Sequence, residues 1–144
     1  MPRETVAVAA DHAGLELKAI LAQELASLGY DVLDLGTNTT DSVDYPDFAN
    51  SLASTLREGR AKRGVLVCGS GIGMSIGANR HPGVRAALCH DITTARLSRQ
   101  HNDANVLVLG ARMTGVDVAK DCLKTFLATE FEGGRHQRRV AKLG

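Results

Sequence analysis

Aromatic residues are almost missing from this sequence. There is no tryptophan, and the only others are Tyr30, Tyr45, Phe48, Phe126 and Phe131. Stacking of nucleic-acid bases, or of a flavin ring, therefore has little to build on. A dominant charge is missing too. Seventeen Lys and Arg stand against 16 Asp and Glu, for a net charge of +1. That excludes a polybasic nucleic-acid surface and an acidic disordered chain. No apolar run is long enough to span a bilayer, so no membrane partner is expected. The three cysteines, Cys68, Cys89 and Cys122, are odd in number and match no metal-knuckle spacing. No leader-like segment precedes the first strand, and a reducing, cytoplasmic setting is expected.

What is present is a regular α/β pattern. The 144 residues, 44% of them apolar, suit one domain spanning 1–144 with a core of alanine, valine and leucine. Strands are predicted over Thr5–Ala10, Val32–Leu35, Gly64–Cys68, Val84–Cys89 and Asn105–Leu109. Helices are predicted over Gly14–Leu28, from Pro46 to about Glu58, over Met74–Asn79, from Ile92 to about Gln100, and from Thr114 to about Thr129. Such alternation implies right-handed βαβ units and a five-stranded parallel sheet. Helices on both faces give a three-layer, Rossmann-like α/β/α sandwich. Ligands of such sheets bind beyond the carboxyl ends of the strands. Asp11-His12, the loop from Gly36, the Cys68 turn and His90-Asp91 lie at those ends.

The richest segment is Val65-Leu66-Val67-Cys68-Gly69-Ser70-Gly71-Ile72-Gly73-Met74. A buried strand ends in a thiol, and three glycines at alternate positions lead into a helix. Glycines let backbone N–H groups approach an anion, and a helix start favours both anions and thiolates. Two common glycine-loop readings fail. The sixth position of a G-x-G-x-x-G fingerprint is Met74 counted from Gly69 and Ile76 counted from Gly71, and the chain has no Gly-Lys pair. The plain alternative is a tight turn beside a small core cysteine.

Other candidates are double-edged. Asp11 and His12 can bind a sugar hydroxyl or phosphate, or Asp11 caps the helix near Gly14 and His12 is solvated. His101 can exchange protons near neutral pH, or it caps a helix C-terminus. Arg135 and Arg139, four apart, share a helix face suited to phosphate, or they belong to a solvated tail. The preceding Gly133-Gly134 pair favours a defined turn.

Taken together, Ala10-Asp11-His12-Ala13-Gly14, Asp44-Tyr45-Pro46, Cys68-Gly69-Ser70-Gly71-Ile72-Gly73, Ser98-Arg99-Gln100-His101-Asn102-Asp103 and Glu132-Gly133-Gly134-Arg135-His136-Gln137 resemble the ribose-5-phosphate isomerase B family. The wider group includes allose-6-phosphate and galactose-6-phosphate isomerases. The resemblance implies aldose–ketose isomerisation of a sugar phosphate without metal or organic cofactor. It makes Cys68 the base that takes the C2 proton, with Ser70 beside it. The amides of Gly69, Gly71, Ile72 and Gly73 hold the enediolate. His101, with Asp11, opens the sugar ring. Tyr45 and Asn102 line the pocket, while His12, Arg135 and Arg139 bind the phosphate. It also implies a homodimer or tetramer with shared active sites, the tail 130–144 contacting a partner subunit. The expected substrate is ribose 5-phosphate. The alternatives are a six-carbon aldose 6-phosphate and a non-catalytic sugar-phosphate binding module; the latter has no need of a thiol.

Overall fold

The computed structural model describes residues 3–144. Five strands, β1 (Thr5–Ala10), β2 (Asp31–Asp34), β3 (Arg63–Cys68), β4 (Ala86–Leu88) and β5 (Val106–Gly110), form one sheet in the order β2-β1-β3-β5-β4. Every pairing is parallel. Six helices accompany them: α1 (Leu15–Ser27), α2 (Tyr45–Arg57), α3 (Ile72–Ala78), α4 (Ile92–Asn102), α5 (Val116–Ala128) and α6 (Arg135–Ala141).

Strand side chains alternate between two buried layers, as the period of two requires. Val6, Val8, Ala10, Val65, Val67, Leu107 and Leu109 pack against Leu21 and Leu25 of α1, Ala95 of α4 and Leu123 and Phe126 of α5. Ala7, Ala9, Leu66, Cys68 and Val108 face Leu52 and Ala53 of α2 and Met74 and Ala78 of α3. Full burial of each leucine or phenylalanine contributes roughly 1.5–3 kcal/mol. The three-layer α/β/α sandwich is the architecture that the sequence predicts.

Most boundaries shift by a residue or two, and three differences have a visible physical cause or consequence. Asp11 accepts a hydrogen bond from the Gly14 N–H, so a 3₁₀ turn over His12–Gly14 precedes α1. The fourth strand keeps only Ala86–Leu88, because the Arg85 N–H donates to the Asn105 side chain and Asn79 clamps Ala86 from the other side. The Asn79 amide donates to the Ala86 carbonyl at 2.9 Å and accepts from its N–H at 2.8 Å. The basic tail folds as α6, packed against α4.

A lysine is buried in α1. Lys18 is 2% exposed and spends its three ammonium protons on Asp34 Oδ1 (2.7 Å), the Thr37 carbonyl (2.7 Å) and Asn38 Oδ1 (3.1 Å). This fastens the loop after β2, which also pairs with β1 through Ala10 N–H to the Gly36 carbonyl and Thr37 N–H to the Ala10 carbonyl. No helix of the described residues is long and apolar enough to cross a membrane.

Candidate active site

From β1 the chain turns to β2 on one side; from β3 it proceeds to the strands on the other. The carboxyl ends of β1 and β3 therefore flank a topological switch point, where crossovers leave a crevice open. A cleft of about 680 Å³ lies there. Asp11 and His12 enter it from the end of β1, and Cys68, Gly69 and Ser70 from the end of β3. Tyr45 and Gly73 line it from the starts of α2 and α3, and Ile72, Ile76 and Met113 form an exposed apolar rim.

The Cys68 side chain is nearly buried, with 4% of the residue exposed. Its loop is held backbone against backbone on the end of β5. Ala111 N–H donates to the Cys68 carbonyl and Arg112 N–H to the Gly69 carbonyl, each at 2.9 Å. A Cβ at Gly110 would run into the Ser70 carbonyl. Gly71, at φ 81°, takes the left-handed conformation that turns the chain into α3; a Cβ there would strike Leu88. The first helical hydrogen bond is Ser75 N–H to the Gly71 carbonyl. The amides of Gly71, Ile72, Gly73 and Met74 thus precede the ladder, and Ile72 N–H is drawn to Ser70 Oγ at 3.2 Å. With seven residues, α3 adds little dipole, and of these four residues Ile72 and Gly73 line the cleft, where their individual N–H groups offer a polar wall.

His12 Nδ1 accepts the Val43 N–H at 3.1 Å. A neutral imidazole so engaged carries its proton on Nε2 and donates from it. Arg112, two residues beyond the end of β5, also lines the cleft. Sequence reasoning did not single it out.

The remaining candidates lie elsewhere. His101 and Asn102 end α4, and with His136 and Arg139 of α6 they line a separate cavity of about 300 Å³. Arg135 opens α6 and lines neither. His101 stacks on His136, ring centroids 4.4 Å apart. Desolvation, then His101 and Arg135, hold the His136 imidazole below its ordinary value, against the pull of Glu132. His90-Asp91 contributes nothing to the cleft. Asp91 caps α4 by accepting the Thr94 N–H, which holds its carboxyl below the ordinary range.

The Ribose/Galactose Isomerase family model matches residues 6–143. The chain is 42% identical over 135 residues to ribose-5-phosphate isomerase B of Escherichia coli, covering 94% of this chain and 91% of that one. It is 41% identical over 141 residues to a D-erythrulose-4-phosphate isomerase of Pectobacterium atrosepticum, covering 97% and 93%. The solved structure of Clostridium thermocellum ribose-5-phosphate isomerase B superposes with a TM-score of 0.96 at 48% identity, over 97% and 95% of the two chains. The chain belongs to the Ribose/Galactose Isomerase family and is an aldose–ketose isomerase.

Proposed function

We propose that the chain interconverts ribose 5-phosphate and ribulose 5-phosphate through an enediolate, with Cys68 as the base. The observation that carries this reading is the thiol in the cleft beside the amides that precede the α3 ladder. Beside it, one oxygen of Asp11 accepts from Gly14, and His12 Nδ1 accepts from Val43. Cys68 takes the C2 proton and returns it to C1, while the amides meet the charge that develops on the oxygens. Ser70 stands next to the thiol. His12, with Arg112, takes the phosphate.

His101, Asn102, Arg135 and Arg139 complete the site from the partner subunit of a homodimer or tetramer, with tail 130–144 at the contact. That arrangement is supported by their grouping on α4 and α6, outside the cleft that holds Cys68. His101 with Asp11 opens the sugar ring. The reaction uses no metal or cofactor, and the free, buried state of all three cysteines suits a reducing cytoplasm.

A second reading differs only in substrate length. It is favoured by the relative whose name specifies erythrulose 4-phosphate; allose 6-phosphate is the six-carbon counterpart. Isomerase assays on all three sugars, with a metal chelator present, separate these. Cys68→Ala should bind substrate yet lose about 10²–10⁴-fold in kcat, the scale of a positioned general base. More than about a tenth of wild-type kcat would remove Cys68 from that role.

A further inference from the structure

Outside the cleft, two imidazoles and a carboxylate converge on one point. Glu132 Oε1 lies 3.8 Å from His101 Nε2 and 3.7 Å from His136 Nε2. All three donor atoms fall within 4.8 Å of one another. The separations are too long for hydrogen bonds. The carboxylate oxygen is therefore not a satisfied partner of either ring. The backbone arranges this group in advance. Glu132 N–H donates to the Gln100 carbonyl at 3.1 Å, tying the segment before α6 to the end of α4, and His136 N–H donates to the Gly133 carbonyl at 3.1 Å.

We propose that His101, Glu132 and His136 form a binding site for a zinc-like divalent transition-metal ion. Metal–ligand bonds of about 2.0–2.2 Å in a tetrahedron put ligand atoms roughly 3.4 Å apart. The two gaps to Glu132 need to close by only a few tenths of an ångström on that scale, and the stacked His101 ring must turn so that its in-plane Nε2 lone pair meets the same ion as that of His136. In the single chain His101 and Glu132 are 40% and 51% exposed and can make that adjustment, while the better covered His136, at 12%, supplies a fixed ligand. Two imidazoles and one carboxylate suit zinc and its neighbours rather than magnesium or calcium, which prefer oxygen. Arg135 and Arg139 oppose a cation, but both are exposed, and solvent and salt screen them. Coordinated His101 Nε2 cannot move protons. On the reading given above, which assigns His101 to ring opening, bound metal therefore inhibits. This role is separate from the reaction, which uses no metal.

Zinc titration of the full chain by calorimetry tests this, with cobalt as a spectroscopic probe. Wild type and Cys68→Ser should bind one ion per chain with equal affinity, and the cobalt form should lack a thiolate charge-transfer band. Glu132→Gln and His136→Gln should each weaken binding by at least about tenfold, the loss seen even for outer-shell partners. No saturable binding to wild type overturns the site. So does binding that survives Glu132→Gln but is lost in Cys68→Ser. Activity should fall in step with occupancy in wild type. Occupancy without inhibition leaves the metal site standing and removes His101 from the reaction.

Discussion

The three thiols are chemically distinct because of where the chain puts them. Cys122, on the inner face of α5, is fully buried; burial, with smaller contributions from Cys89 and Asp91, pushes its thiol up to about 11. Burial also raises Cys89, against opposing hydrogen bonds from Thr94 and Ser98. At pH 8 the thiolate fraction of Cys122 is on the order of 10⁻³, and thiolate is the form that attacks an alkylating reagent. Cys68 alone opens on a cleft. Iodoacetamide at pH 8 should therefore modify Cys68 first, with loss of activity and protection by sugar phosphate. Mass spectrometry of the labelled peptides reads the order. Labelling of Cys89 or Cys122 at the Cys68 rate would mean that the core is open and that thiol placement does not select the base.

Among the elements, the loop between β2 and α2 depends most on a single side chain. It delivers Tyr45 to the cleft and the Val43 N–H to His12, and Lys18 anchors it to α1. Lys18→Met keeps the helix and the length of the side chain but abandons an ion pair and a carbonyl. Asp34 retains solvent and the Gly36 N–H, so the cost stays near the lower end for a broken buried pair, about 3 kcal/mol. Urea denaturation should show that loss, and KM should rise more than kcat falls. A loss under about 0.5 kcal/mol would mean that the loop holds its shape without the ammonium. Nothing in the sequence marks Lys18, because a lysine on an apolar helix face is normally read as reaching out to water. Cys68 was legible because it ends a buried strand, and Asp11 because it directly follows one. Arg112 carries the same signal after β5, but no glycine run or histidine accompanies it. α6 was legible only as a basic, glycine-led tail: at seven residues, it is too short for its periodicity to stand out.

At the scale of the whole molecule, the proposed site residues fall in two separate cavities of one chain. The thiol and the amides are in the cleft, while His101, Asn102 and Arg139 line another cavity. The proposal that subunits share sites makes a definite prediction. Cys68→Ala and His101→Asn should each be nearly inactive. After unfolding and refolding together, half of the dimers are mixed, and each mixed dimer regains one intact site. An equal mixture should therefore recover about a quarter of wild-type activity. No recovery in mixtures shown to exchange subunits would place both residues in one chain's site. The β4 edge of the sheet is closed by a side chain, Asn79. Ala86 and Leu88 direct their backbone groups away from β5, and at Ala86 the Asn79 side chain takes both the donor and the acceptor. A side-chain amide thus stands where the backbone of a sixth strand would begin. The sheet cannot be lengthened there by a neighbouring chain, which suppresses edge-to-edge polymerisation.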